Sequence, residues 1–272
     1  ALDCANGSSS VSASEVFTRL GAEVIVINDK PDGVNINKDC GSTHMEQLQA
    51  CVVENGCDLG FAFDGDADRM LAVDHTGAVV DGDKCIAVCA KHMKTLGKLK
   101  KDTAVVTVMS NMGFFKFCEE NGIKCEKTKV GDRYVLENMH NNGYSIGGEQ
   151  SGHIIFLQYA TTGDGQLSAI QLMAVVKDTG KTLKELADEM EVYPQVLINV
   201  RVSNFGKAQF AKDKEVQNAI RQAEEELGAD GRILVRLSGT EPLVRVMLEG
   251  KDLDKINELG ESVAQVVRER LV

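Results

Sequence analysis

Short apolar runs alternate with segments of helical spacing along most of this chain, and that alternation constrains the fold more than any single motif. The runs Val24–Ile27, Leu59–Phe63, Thr103–Val108 and Lys124–Lys127 read as strands. Between them apolar residues fall at helical intervals, as at Val11, Val16, Phe17 and Leu20, with Gly21 and Gly56 as stops. Strands that alternate with helices are joined by crossovers, so the pattern predicts sheets with parallel pairs covered by helices. Further helices are expected over 45–53, 84–96 (capped by Asp83), 113–121, 133–140 and 166–177, with a hairpin over 70–80 turning at His75-Thr76-Gly77. Short strands are expected near 144–146 and 153–156. Past Pro194 the order changes to strand 196–202, helix 214–227, strands 233–237 and 244–248, and a last helix over 252–270. That helix carries Leu253, Ile256, Leu259, Val263, Val266 and Val267 on one stripe, the pattern of core packing. The expected fold class is α/β: two α/β domains with mixed sheets, over 1–83 and 84–194, followed by a small α+β domain over 195–272.

Composition narrows the function. At 272 residues, 43% hydrophobic and 26% charged, the chain has the make-up of a globular protein with room for two or three small domains. A net charge of -11 argues against nonspecific nucleic-acid or membrane binding, so an anionic ligand would need locally concentrated cations. Eight cysteines without a C-x-x-C pair suggest neither a zinc site nor a disulfide framework and read as reduced thiols. No apolar stretch reaches the roughly 18 residues of a membrane span, and no leader opens the chain, so a cytoplasmic location is expected. Ala1-Leu2-Asp3-Cys4 reads as the tail of a strand without an initiator methionine, and the chain is expected to be a fragment of a longer protein.

Four segments carry chemistry. Asp64-Gly65-Asp66-Ala67-Asp68-Arg69 follows the strand Leu59–Phe63, placing three carboxylates at a strand's carboxyl end, the edge where open α/β sheets bind ligands. Their mutual repulsion is relieved by a divalent cation, and an all-oxygen set favours magnesium. A calcium loop of the EF-hand type would need Gly and Glu where Arg69 and His75 stand; the remaining alternative is an exposed acidic turn. Arg69 is placed to reach a phosphate beside the metal. Lys129-Val130-Gly131-Asp132-Arg133 sets two cations around a glycine ahead of a helix, fit to face an anion, with Asp132 as helix cap and a solvated Arg133 as the other reading. Gly147-Gly148-Glu149-Gln150-Ser151-Gly152-His153 suits hydrogen bonding to a polyhydroxy ligand, or forms a glycine-rich hairpin turn. His153 has the titration range of a proton carrier, though a single histidine can equally be structural. Finally, in Arg236-Leu237-Ser238-Gly239-Thr240-Glu241-Pro242-Leu243-Val244-Arg245, a Ser-Gly-Thr turn between strands is flanked by arginines and offers hydroxyls, backbone N–H groups and guanidinium forks to one phosphate; a hairpin with surface arginines is its alternative.

Asp3-Cys4-Ala5-Asn6-Gly7, the Asp64–Arg69 loop, Gly148–His153 and Arg236–Arg245, in that order, resemble the α-D-phosphohexomutase superfamily. Within it, Val130-Gly131-Asp132-Arg133-Tyr134-Val135, Glu149-Gln150-Ser151 and Leu237–Arg245 are most similar to the phosphoglucosamine mutase branch. The resemblance implies four domains lining one cleft, of which this chain holds most of the second, the third and the fourth. It implies magnesium on Asp64, Asp66 and Asp68; sugar hydroxyls on Glu149 and Ser151; phosphosugar contact by Arg133; and the non-reacting phosphate on Arg236, Ser238, Gly239, Thr240 and Arg245. Arg69, Lys129 and His153 take the acid/base or electrostatic roles. The reaction implied interconverts glucosamine 6-phosphate and glucosamine 1-phosphate through glucosamine 1,6-bisphosphate, as intermediate and activator, and serves UDP-N-acetylglucosamine and cell-wall synthesis. The family's phosphoserine loop, Thr-Ala-Ser-His-Asn-Pro, occurs nowhere in these residues, so the chain alone is expected to be inactive and monomeric, and its longer parent a dimer. Other readings are a phosphomannomutase or phosphoglucomutase, a haloacid-dehalogenase-like phosphatase with Asp64 as nucleophile and Asp66 as acid, and a non-catalytic phosphosugar-binding module.

Overall fold

The computed structural model describes residues 1–238 and 241–272. They form two compact units, 1–191 and 192–272. The first unit opens with β1 (Leu2–Asp3), α1 (Ala13–Arg19), β2 (Val26–Ile27), α2 (Glu46–Glu54), β3 (Leu59–Phe63) and the hairpin β4 (Met70–Asp74) and β5 (Val79–Val80). These strands lie in the order β2-β1-β3-β4-β5, with β1 parallel to both β2 and β3 and the hairpin antiparallel. The alternation of β3 sorts its residues between two faces. Ala62 packs with Leu48 and Val52 of α2 on one side, while Phe61 and Phe63 enter the main core on the other.

A second sheet follows α3 (Gly82–Thr95): β6 (Thr103–Thr107), α4 (Met112–Glu120), β7 (Lys124–Thr128), α5 (Asp132–Asn142), β8 (Ile146–Gly148), β9 (Ile154–Phe156), α6 (Gly165–Thr179) and α7 (Leu183–Ala187). Its order is β7-β6-β8-β9, with β6 parallel to β7 and β8. The main core joins the two sheets, since Phe61, Phe63 and Met70 share one apolar cluster with Ile86, Phe114, Ile146, Ile154 and Leu172. The cap of α3 differs from the expectation. Asp81, not Asp83, accepts the Lys84 N–H at 3.0 Å, while Asp83 lies inside the first turn, fully buried, and accepts the Asn111 N–H at 2.7 Å. Likewise the cap of α5 is Gly131, with Asp132 as its first helical residue.

The second unit contains β10 (Gln195–Arg201), α8 (Asn204–Gln209), α9 (Lys214–Leu227), β11 (Gly231–Leu237), β12 (Leu243–Gly250) and α10 (Leu253–Leu271). Its antiparallel sheet, β10-β12-β11, is covered by α9 and α10, whose Val216, Ala223, Ile256, Val263 and Val267 meet Val200, Val244, Val246 and Leu248. Leu253, counted on the apolar stripe of α10, is half exposed because it opens the helix before the stripe reaches the sheet. The whole chain is thus α/β with a small α+β unit at its end. Among the described residues no helix is long and apolar enough to cross a membrane.

Leu48 is completely buried between α2 and the first sheet. Leu48→Ala removes its contacts and leaves a cavity, and is expected to lower the unfolding free energy by about 3 kcal/mol, read as a drop in the urea midpoint at unchanged slope.

Candidate functional site

Where β3 ends at the buried Phe63, the chain leaves the sheet in a tight turn. Ala67 takes a left-handed conformation (φ 60°) and its N–H reaches back to the Asp64 carbonyl at 3.1 Å. The Gly65 carbonyl accepts the Ser8 N–H at 2.8 Å, tying the acidic turn to the segment after β1. One carboxylate oxygen from each of Asp64, Asp66 and Asp68 lies within 4.8 Å of the others. Burial above all, with repulsion from Asp68 and Asp66, pushes the Asp64 carboxyl up to about 6, against the opposing hydrogen bond from the Arg69 N–H at 3.2 Å. The Arg69 Nε stands 3.8 Å from Asp64 and 3.9 Å from Asp68, too distant to neutralise the cluster fully. Three crowded oxygen donors, one of them holding its proton against its ordinary tendency, fit a hard divalent cation.

The Glu149–His153 turn packs against this cluster through backbone. Arg69 and His153 form an antiparallel bridge, and the Met70 N–H donates to the Gly152 carbonyl at 3.0 Å. Gly152 has φ +94°, and a side chain there would meet the Met70 carbonyl at 2.4 Å, so only glycine closes this approach. His153 is consequently buried. Its Nε2 lies 3.5 Å from Asp68 Oδ2 and 4.0 Å from Asp132 Oδ2, and among the described residues neither ring nitrogen has a hydrogen-bond partner. Glu149 Oε1 accepts the Gly131 N–H at 3.0 Å, joining the Lys129–Arg133 segment to the same place. From behind, the first turn of α3 supports the arrangement: the Gly82 N–H donates to the Gln150 carbonyl at 3.0 Å, and Asp81 Oδ2 accepts from Gln150 Nε2 at 3.1 Å.

Three of the four segments singled out in the sequence thus meet within the first unit. Asp64, Asp68, Arg69, Glu149 and His153 lie together, with Asp66 on the exposed side of the turn. Ser151 and Arg133 are exposed. Lys129 is exposed as well; its ammonium lies 6.0 Å from the Tyr134 ring centre and makes no ion pair among the described residues. Asp132, read only as a helix cap, turns out to face His153.

The fourth segment lies in the second unit. Arg236 on β11 and Arg245 on β12 are directly opposite in register, an unfavourable pairing of like charges. Burial, with the charge of Arg245 added, lowers the proton affinity of Arg236. Arg245 is held by Glu241 at 3.0 Å, while its buried Nε has no hydrogen-bond partner among the described residues. Ser238 is buried and its Oγ accepts the Glu241 N–H at 3.3 Å. Gly239 and Thr240 lie outside the described residues. Two facing guanidiniums match the geometry of a phosphate or carboxylate. A residue the sequence did not point to also touches this turn: Lys207 of α8 donates to the carbonyls of Ser238 and Glu241 at 2.9 and 3.0 Å. Nothing in the local sequence of α8 marks it, because its partners lie more than thirty residues away.

Comparison with known proteins gives this geometry a family. Residues 1–77 match the phosphoglucomutase/phosphomannomutase alpha/beta/alpha domain II, residues 81–193 domain III and residues 197–266 the C-terminal domain. The chain is 56% identical over 270 residues to the phosphoglucosamine mutase of Caldicellulosiruptor saccharolyticus, and 56% identical over 271 to that of Acetivibrio thermocellus, covering 99% and 100% of this chain. It spans 60% of the length of each of these relatives. A phosphoglucomutase/phosphomannomutase family protein from Burkholderia thailandensis has the same fold, with a TM-score of 0.83 at 20% identity over 99% of this chain and 60% of its own. So does the Aspergillus fumigatus N-acetylphosphoglucosamine mutase solved with GlcNAc-6P and magnesium, with a TM-score of 0.82 at 22% identity over 100% of this chain and 61% of its own. With family matches running from residue 1 to residue 266 and whole-chain identity above half, this chain belongs to the phosphoglucomutase/phosphomannomutase family of α-D-phosphohexomutases.

Proposed function

We propose that this chain supplies the metal-, sugar- and phosphate-binding parts of a cytoplasmic enzyme that interconverts glucosamine 6-phosphate and glucosamine 1-phosphate through the 1,6-bisphosphate, feeding UDP-N-acetylglucosamine and cell-wall synthesis. The carrying observation is the packing of the acidic turn against the Glu149–His153 turn, in a chain 56% identical to phosphoglucosamine mutases. Residues 1–83, 84–194 and 195–272 act as the second, third and fourth domains of such an enzyme. The phosphate-carrying serine belongs to an additional domain, and the present chain alone is a monomer that binds phosphosugar without turning it over.

Asp64, Asp66 and Asp68 would hold Mg2+, which when bound supplies positive charge beside a phosphoryl group in transfer. Arg69 stays close enough to the cluster to place its guanidinium on the same phosphoryl oxygens. His153 is buried and, among the described residues, neither ring nitrogen has a hydrogen-bond partner, so its Nε2 would be the atom to hold or accept a proton as charge develops next to it. Glu149 and Ser151 hold sugar hydroxyls, and the Glu149 bond to Gly131 fixes the carboxylate while leaving its other oxygen for the ligand. Lys129 and Arg133, exposed in this structure, face the incoming anion. Arg236, Ser238, Gly239, Thr240 and Arg245 grip the phosphate that is not reacting. An aspartyl-nucleophile phosphatase gains no support from the family matches, which all fall on phosphoglucomutase/phosphomannomutase domains.

The chain alone, assayed with Mg2+ and catalytic glucosamine 1,6-bisphosphate, is expected to show no interconversion, and the chain joined to the amino-terminal domain of its relatives is expected to regain it. Turnover by the chain alone would refute the missing-serine account. In the joined protein, His153→Gln is expected to lower kcat by about 100-fold with little change in the dissociation constant of glucosamine 6-phosphate measured by calorimetry.

Proton and metal compete at Asp64. Its folded-state pKa, about 6 in the metal-free chain, lies above the ordinary carboxylate value near 3.9. The group therefore disfavours folding above pH 6, and the penalty fades as pH falls from 6 towards 4. Mg2+ is accordingly expected to raise the melting temperature at pH 7.5 and to lose that effect at pH 5. Asp64→Asn removes the buried charge, so it is expected to melt no lower than the parent without metal, and to show no rise on adding Mg2+.

A further inference from the structure

Asp3-Cys4-Ala5-Asn6-Gly7, one of the segments by which the chain resembles its family, has no part in the reading above. Asp3 ends β1, the strand beside β3, and its side chain is completely buried. Its Oδ1 accepts the Ala5 N–H at 2.9 Å and its Oδ2 the Gly41 N–H at 3.0 Å, so one carboxylate ties together two loops that are distant in the chain. Both loops press on the acidic turn. A Cβ at Gly7 would stand 2.3 Å from the Gly65 carbonyl oxygen, the same oxygen that accepts the Ser8 N–H at 2.8 Å. A Cβ at Gly41 would stand 2.5 Å from the Phe63 carbonyl oxygen and 2.6 Å from the Ala5 Cβ. Phe63 and Gly65 are the two chain neighbours of Asp64, so the first metal-ligand candidate is fixed from both sides through backbone. The loop after Asp3 is also held in a costly form. Ala5 and Asn6 lie consecutively in the left-handed region (φ 52° and 47°), which a Cβ disfavours and for which alanine has no side-chain hydrogen bond in compensation. Such a pair persists only where its surroundings impose it. Here the Asp3 carboxylate holds the Ala5 N–H, the Asn37 N–H donates to the Ala5 carbonyl at 2.9 Å, and the Asn6 N–H donates to the Asn28 carbonyl at 2.6 Å.

We propose that Asp3 is a positioning residue for the acidic turn: by holding the Ala5–Gly7 and Cys40–Gly41 loops against Gly65 and Phe63, it keeps Asp64 crowded against Asp66 and Asp68 and so preforms the cation site. The inference rests on the reading of that turn as a magnesium site. In Asp3→Asn the side chain keeps its size, but an NH2 group replaces one of the two acceptors and one backbone N–H then faces a donor. The loop freed in this way relaxes out of the left-handed region, and the three carboxylates move apart under their own repulsion. A cation has to draw them together again, an ordering cost that appears as weaker binding.

The test is titration of the full chain with Mg2+ at pH 7.5 by calorimetry, well below the melting temperature, for the parent, Asp3→Asn, Ser8→Pro, Leu48→Ala and Asp64→Asn, with circular dichroism to show that each is folded. Leu48→Ala is the control for lost stability, since Leu48 is equally buried but belongs to a separate apolar cluster of the same unit. Asp3→Asn is expected to weaken Mg2+ about tenfold, the lower end of the effect of residues that orient metal ligands, while Leu48→Ala keeps parent-like affinity. Ser8→Pro leaves the Asp3 carboxylate and its two bonds in place but removes, at an exposed position, the N–H that joins the loop to Gly65. It is expected to weaken Mg2+ as well, and it decides the matter if Asp3→Asn does not fold. Parent-like Mg2+ affinity in folded Asp3→Asn or in Ser8→Pro overturns the positioning role, and so does a loss in Leu48→Ala as large as that in Asp3→Asn, which would reduce Asp3 to a contributor to stability. If the parent takes up no Mg2+, or Asp64→Asn takes it up as well as the parent, the magnesium reading of the turn falls and the positioning role falls with it.

Discussion

Repulsion among the carboxylates after β3 is the constraint around which the first unit is organised. Left to itself, a turn carrying Asp64, Asp66 and Asp68 would open into water and let the charges separate. It does not open, because the Gly65 carbonyl is bonded to Ser8, Asp64 is bonded to the Arg69 N–H, and the strand leaving the turn is stitched to Gly152. The strain appears as a proton held on Asp64 up to about pH 6. A fold that spends backbone hydrogen bonds on crowding like charges stores an affinity for whatever cation can relieve it.

The second unit repeats the device with the opposite sign. Arg236 and Arg245 are fixed opposite each other by a strand register that their side chains alone would not choose, and Glu241 relieves them only in part. In both places backbone pairing holds like charges closer than their side chains alone would choose. Any anion drawn to Arg245 would meet Glu241 already on its guanidinium.

Much of this was legible in the sequence, and the failures have a common origin. Leu59–Phe63 and Lys214–Leu227 were read to the residue; the first is an apolar run ending in a charged turn, and the second is opened in the structure by Asp213, whose carboxylate accepts the Glu215 and Val216 N–H groups. Asp83 was misread because two acids stand two residues apart and each could cap a helix; the choice is made by Asn111, far along the chain, which needs the second one buried. The strand β8 was expected two residues early, since Gly147 and Gly148 have poor strand propensity; yet a side chain at Gly147 would strike Met139 and the Val105 carbonyl. The helices α7 and α8 are too short to show a period. Asp132 beside His153 and Lys207 beneath Ser238 act only through folding, so no local pattern announces them.

The close approach of Gly82 to the Glu149 carbonyl and of Gly152 to Met70 bears on how such a protein can diverge. With backbone against backbone, there is no side-chain layer to absorb an inserted or deleted residue between the acidic turn and the Glu149–His153 turn. Lengthening either loop would separate Asp68 from His153, whatever residue was added. Variation is therefore channelled into exchanges of exposed side chains such as Ser151 and Arg133, while the spacing of the two turns is inherited as a single unit.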